Sequence, residues 1–146
     1  MKQIADIIEG HPLFRAEVSD TVRKTAEMMS ERNIGAVAVL DSGKLVGIFS
    51  ERDLMSRVVA RGLNPDKTEV KDVMTKSIVV ADMKDDVDSA MQKMTSIGCR
   101  HLPVVDGAKL VGMLSLRDLL IEDDDTQRKR ASFLKELVTY SPDYES

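Results

Sequence analysis

Two short stretches carry residue types that could do chemistry, Ser50-Glu51-Arg52-Asp53 and Ser115-Leu116-Arg117-Asp118. Each sets a hydroxyl, a guanidinium and a carboxylate side by side, just after an apolar run and where a helical pattern begins. A serine there caps the helix, and an aspartate at the third helical position makes a near capping box, so structural work alone accounts for both residues. The same geometry suits a nucleotide. Free N–H groups and positive potential at a helix N-terminus attract phosphate, and a carboxylate one turn away accepts bonds from both ribose hydroxyls, as in dinucleotide folds. Gly47 and Gly112, in the preceding runs, permit close approach by a ligand or another backbone.

Other chemistry is thinly represented. Cys99 and His101 stand two residues apart, which falls short of a zinc set, and alternate strand residues point the same way without any metal. His11-Pro12 reads as a turn. There is no phosphate loop, no nucleophile with a base at useful spacing and no metal set, so an enzyme is not expected. Met28, Met29, Met91 and Met94 read as core packing.

The elements that must position the two Ser-x-Arg-Asp stretches are themselves duplicated. A shift of 65 positions lays Val22–Leu54 on Val87–Leu119 without a gap, with 12 of the 33 positions identical. Each copy reads as helix, strand, strand, helix. Val22, Ala26 and Met29 form the stripe of the first helix, with Ser19 or Asp20 as N-cap. Val87, Ala90, Met91, Met94 and Ile97 repeat it. Ala36 to Leu40 and Leu102 to Val105 are strand-length runs. Turns at Asp41-Ser42-Gly43 and Asp106-Gly107 lead into Leu45 to Phe49 and Leu110 to Leu114. These runs alternate little, which predicts sheets covered on both faces. The helix from Ser50 should carry Leu54, Val58 and Val59 inward and end at Gly62.

A looser echo precedes each copy. Ile4 to Ile8 resembles Val70 to Met74; after one extra residue Leu13 to Ala16 matches Ile78 to Ala81, a short strand in each case. The expected organisation is repeat 1 over residues 1–62, a linker over 63–69 and repeat 2 over 70–121. Residues 122–146 then hold an acidic run from Glu122 to Asp125, an amphipathic helix from Thr126 carrying Phe133, Leu134, Leu137 and Val138, and a frayed tail.

Composition narrows the function classes. The 146 residues are 42% hydrophobic and 32% charged, ordinary for a soluble globular chain, and suffice for one domain sharing a core between repeats. A net charge of -4 argues against a nucleic-acid surface. No apolar run approaches a membrane span, and the start does not resemble a signal peptide. One cysteine allows no intrachain disulfide, so a cytoplasmic location is expected.

The ordered set of Gly-Ala-Val-Ala-Val or Arg-His-Leu-Pro-Val-Val, then Asp and Gly, Lys-Leu-Val-Gly and Ser-x-Arg-Asp-Leu, appearing twice, resembles the CBS domain, named after cystathionine beta-synthase. Val-Lys-Asp-Val-Met-Thr is similar to that family's lead-in. The resemblance covers about residues 1–121 and implies a tandem pair, or Bateman module. Its fold would be α/β (α+β), two β-α-β-β-α repeats about a pseudo-twofold axis, plus the C-terminal helix.

The resemblance also implies a function: a regulatory module binding AMP, ATP or another adenosyl compound, NAD and S-adenosylmethionine included, in clefts between repeats. No further cofactor is required. One cleft would take Ser50, Arg52 and Asp53 with Thr75, Val80, Arg100 and His101. Its mirror would take Ser115, Arg117 and Asp118 with Arg15, Ile34 and Gly35. The aspartates would hold ribose, the serines and arginines would face phosphate, and apolar strand edges would sandwich the base. The copies differ, since Arg100-His101 stands where the first has Gly35-Ala36, and Arg15 stands for Val80. One ligand per chain and two are both open. The family's habit implies a homodimer forming a four-repeat disc, with readout through that dimer or an effector protein. The alternative is a ligand-free structural or protein-interaction module.

Overall fold

A computed structural model describes residues 2–122 and Lys135. In chain order its elements are α1 (Ile4–Ile8), β1 (Arg15–Glu17), α2 (Val22–Arg32), β2 (Ala36–Asp41), β3 (Lys44–Ser50), and α3 (Glu51–Asp53), which runs into a π-helical stretch at Leu54–Val59. A 3-10 turn at Val70–Asp72, β4 (Ala81–Asp82), α4 (Val87–Ile97), β5 (His101–Asp106), β6 (Lys109–Ser115) and α5 (Leu116–Glu122) follow. Each copy therefore has the expected β-α-β-β-α order. The helix expected from Thr126 and the frayed tail lie outside the described residues, Lys135 excepted.

The chain divides into two compact units, and these cut across the order of the sequence. One comprises Pro12–Ile78 with Ala108–Leu110; the other comprises the described residues up to His11, Val79–Gly107 and those from Val111 onward. The lead-in of each copy is thus built into the unit of the other copy. Val70, Val73 and Met74 lie in one core with Ala16, Val22, Met29, Val37, Val39, Phe49 and Val58. Ile4 and Ile7 lie in the second core with Ala81, Val87, Met94, Leu102, Val104, Leu114 and Leu119. The methionine reading holds, with Met29, Met91 and Met94 buried and Met28 packed against its core.

In the first unit the sheet order is β1-β2-β3, with β1 parallel and β2–β3 antiparallel. The hairpin follows from its loop. Asp41 pairs with Lys44 across Ser42 and Gly43, which have φ of 51° and 83°. Two positive φ angles in a two-residue loop are the primed-turn geometry whose twist matches the strands. All of β2 except Asp41 is buried, as its unbroken apolar run predicts, whereas β3 is mixed. Helix α2 is capped by Thr21, whose Oγ1 accepts from Lys24 N at 3.1 Å. Ser19 and Asp20 do not cap it, because the Asp20 carboxylate is taken by the Glu17 N–H in the preceding turn. Helix α2 ends in Asn33 at φ 54°, where the Asn33 and Ile34 N–H groups bond the carbonyls of Ser30 and Met29. After the π-helical stretch, Gly62 adopts φ 70° and Leu63 N bonds Val58 O, the stop expected of that glycine. Val59 does not turn inward. It is 69% exposed, because the wider π turn (Ala60 N to Met55 O) rotates it away from Val58.

The second unit repeats the plan in the order β4-β5-β6. Its first strand is shorter and later than Ile78 to Ala81: β4 pairs only Ala81 with Val104 and Asp82 with Val105. In the first unit β1 starts one position earlier, with Arg15 opposite Ala38. The residue matching Ala38 is Pro103, which has no N–H to give, so the ladder cannot extend back to Val80. Likewise β1 begins at Arg15 rather than Leu13.

Asp85 closes the turn before α4. Its Oδ2 accepts from Asp82 N at 3.0 Å and lies 3.1 Å from Lys93 Nζ, which also bonds Val80 O at 2.9 Å. Burial works to raise its pKa, but the Asp82 N–H and the Lys93 ammonium outweigh it and hold the carboxyl below the usual aspartate range. A depressed folded-state pKa contributes stability above the unfolded value, about 3.9, that is lost as pH falls through the folded one. Asp85→Asn should therefore flatten the acid side of the stability curve, read from urea midpoints between about pH 7 and about pH 3. An unchanged pH slope in the variant would contradict this.

Candidate functional site

Asp53 is the buried carboxylate among the described residues, only 6% exposed. Burying a carboxylate is costly unless donors surround it, and the chain supplies them from two segments. From the start of α3, Ser50 N donates to Asp53 Oδ2 at 3.0 Å and Ser50 Oγ donates to the same oxygen at 3.1 Å. Asp53 N donates back to Ser50 Oγ at 3.2 Å, which completes the capping box. From the lead-in of the second copy, Thr75 Oγ1 donates to Asp53 Oδ1 at 3.0 Å. The cluster is thus both cap and potential site, and the two readings of Ser-x-Arg-Asp describe one arrangement.

Three features hold Thr75 there. Ile48 N bonds Thr75 O at 2.9 Å and Thr75 N bonds Ile48 O at 2.8 Å, a one-residue bridge that welds the lead-in to β3. Gly47 lets it come close: a Cβ at Gly47 would lie 2.6 Å from Met74 Sδ and 2.9 Å from Thr75 O. The close approach foreseen for Gly47 is thus made by the chain itself. Arg57 is the third, with Nη1 bonding Met74 O at 2.7 Å and Nε 3.7 Å from Asp53 Oδ1. Sequence reasoning missed Arg57, although its place four residues after Asp53 on a helical pattern was a usable signal.

In the second unit, Ser115 N donates to Asp118 Oδ2 at 2.9 Å and Asp118 N to Ser115 Oγ at 3.1 Å. The capping interaction is preserved, and Asp118 is half-buried rather than buried. Gly112 faces Ile8, whose Cδ1 would lie 2.9 Å from an added Cβ. Ile8 thus stands where Met74 stands in the first unit, and Glu9 follows it where Thr75 follows Met74.

The remaining predicted residues are placed as follows. Arg52 and Arg117 are exposed in the first turn after each serine. The carbonyl of Gly35 accepts from Glu51 N at 2.9 Å, and the carbonyl of Arg100 accepts from Leu116 N at 2.8 Å, so each flanks the Ser-x-x-Asp of its own unit. His101 opens β5, half-buried. Val80 lies just ahead of β4, Arg15 is exposed on β1, and Ile34 packs at the edge of the first core. Burial pushes the neighbouring Cys99 thiol pKa up, against the pull of the His101 and Cys99 N–H groups, so it is a poor nucleophile and metal ligand. Among the described residues no group of three or more His, Cys, Asp or Glu is placed to hold a metal ion. No helix among them is long and apolar enough to cross a membrane.

Each unit thus carries a capped Ser-x-x-Asp at the end of its hairpin. The CBS domain profile matches residues 4–60 and 70–124, and the chain belongs to the CBS-domain family. It is similar to the CBS domain-containing protein YhcV of Bacillus subtilis, at 33% identity, covering 70% of this chain and 73% of that protein. It spans little more than half the length of some other curated relatives that it matches. A CBS-domain protein of Burkholderia ambifaria aligns with a TM-score of 0.80 at 31% identity, over 87% of this chain and 97% of that one. A CBS domain protein of Pyrobaculum aerophilum, solved in complex with AMP, aligns with a TM-score of 0.75 at 26% identity, over 94% and 99% of the two chains.

Proposed function

We propose that this CBS-domain regulatory module binds an adenine nucleotide or related adenosyl compound, with Asp53 taking the ribose. The observation that carries the reading is the buried Asp53 carboxylate, ringed by two hydroxyls and a guanidinium. A hydroxyl both donates and accepts. Ser50 and Thr75 can turn their protons from Asp53 to ligand oxygens while the ribose diol takes their place on the carboxylate. The AMP held by the Pyrobaculum protein supports the ligand class. On this reading Arg52, exposed beside Ser50, faces phosphate. Ser115, Arg117 and Asp118 repeat the motif in the second unit, without a buried carboxylate.

The module signals rather than catalyses. A ligand shifts the balance of conformations only by binding one better than another. The readout is then a homodimer, formed where Met55 and Val59 leave apolar surface exposed at 54% and 69%, or an effector protein. AMP, ADP, ATP, NAD and S-adenosylmethionine, each added to purified protein, should include at least one that raises the melting temperature, with the nucleotide recovered intact by chromatography. No shift with any of them would favour the ligand-free interaction module, and nucleotide turnover would point to an enzyme.

A further inference from the structure

We infer that Arg57 is the positioning residue that makes the Ser50–Asp53–Thr75 cluster a ligand site, and that its replacement by an acidic residue in the second copy confines ligand to the first. The inference rests on the ribose reading of Asp53. Arg57 reaches across the cluster in two directions. Its Nη1 takes the carbonyls of Met74 at 2.7 Å and Val73 at 3.4 Å, the two immediately before Thr75. Its Nε lies 3.7 Å from Asp53 Oδ1, the oxygen that also accepts from Thr75. One planar guanidinium thereby fixes the lead-in against the carboxylate, which a flexible point charge does less well. The Arg57 side chain is 39% exposed and that of Asp53 only 9%, so the cation also balances a charge withdrawn from water. That balance matters more when a phosphate arrives, because two anions in one partly desolvated site repel.

The second copy shows what the cluster becomes without these groups. The 65-residue shift takes Arg57 to Glu122. In the lead-in the offset is 66, since the bridge Thr21↔Glu69 corresponds to Gln3↔Asp86 and the Gly47–Met74 contact to Gly112–Ile8. Thr75 thus corresponds to Glu9. Where the first copy has a hydroxyl and a guanidinium on Asp53, the sequence of the second has glutamate at both matching positions, a residue type that brings neither a positive charge nor, when ionised, a donor.

The test combines hydrogen exchange on the free protein with calorimetry of AMP, ADP, ATP, NAD and S-adenosylmethionine, on wild type, Arg57→Gln and Arg57→Lys. Arg57→Gln should lose amide protection at Ile48 and Thr75 and about tenfold or more in affinity for whichever of these wild type binds, as expected for a lost charge-assisted contact. Arg57→Lys should recover part of both, and wild type should take one ligand per chain. Wild-type exchange and affinity in Arg57→Gln, or two ligands per chain in wild type, would overturn the inference. If wild type binds none of the five while Arg57→Gln still exposes those amides, the ligand reading fails and the positioning of Thr75 by Arg57 stands.

Discussion

Asp53→Ala is expected to abolish binding of the adenosyl ligand and to lower stability, whereas Asp118→Ala does much less of either. The difference lies in what each carboxylate is asked to do. Asp53 accepts from Ser50 N, Ser50 Oγ and Thr75 Oγ1 and faces Arg57, all around a residue that is 6% exposed. Truncating it strands those donors and leaves the guanidinium without its anion. A loss of about 2–4 kcal/mol is expected for the folded protein, since buried donors without partners are costly. Asp118 is half-buried and bonded to Ser115, so its truncation removes little beyond a cap, about 1 kcal/mol. Urea denaturation of both variants measures the first difference and calorimetry the second. Equal losses in the two would show that the copies are equivalent.

Gly47→Ala is the second large effect. The new methyl would meet Met74 Sδ at 2.6 Å and Thr75 O at 2.9 Å. Met74 is 6% exposed and cannot swing out freely, and the Thr75 carbonyl is backbone held in the bridge to Ile48. The lead-in must therefore move, and overpacking of this kind costs about 1–3 kcal/mol. Because Thr75 moves with it, ligand affinity should fall along with stability. Gly112→Ala presents the same change against the Cδ1 end of the Ile8 side chain at 2.9 Å, with the next atoms at 3.4 Å. That chain can rotate, so the cost should be smaller and the ligand unaffected. Thermal unfolding of the two variants separates the cases; a larger loss for Gly112→Ala would contradict the account.

The hairpins, most of the helix faces and the double Ser-x-Arg-Asp were legible in the sequence because each is a local pattern, although Ile97, read as part of the α4 stripe, is 46% exposed at the helix end. Asp41-Ser42-Gly43 needs no tertiary context to make a turn, and Val22 and Met29 share a helix face by spacing alone. The assembly of the units was not legible. Nothing local tells Val73 and Met74 that they belong with Phe49, or Ile4 and Ile7 that they belong with Leu114. Arg57 was overlooked for the same reason, since its partners Val73 and Met74 lie far along the chain. Val59 was misplaced because a π turn changes the period on which the helix face was drawn. The difference between the copies was read at Arg100-His101 against Gly35-Ala36 and at Arg15 against Val80, whereas Thr75 against Glu9 and Arg57 against Glu122 lie outside the doubled motif and were passed over.

The most direct measurement is a calorimetric titration of AMP, ADP, ATP, NAD and S-adenosylmethionine, each in turn, into wild type and Asp53→Ala. The account predicts that at least one binds wild type, at one per chain, with no heat of binding in the variant. Two per chain, or binding that survives loss of Asp53, would contradict it.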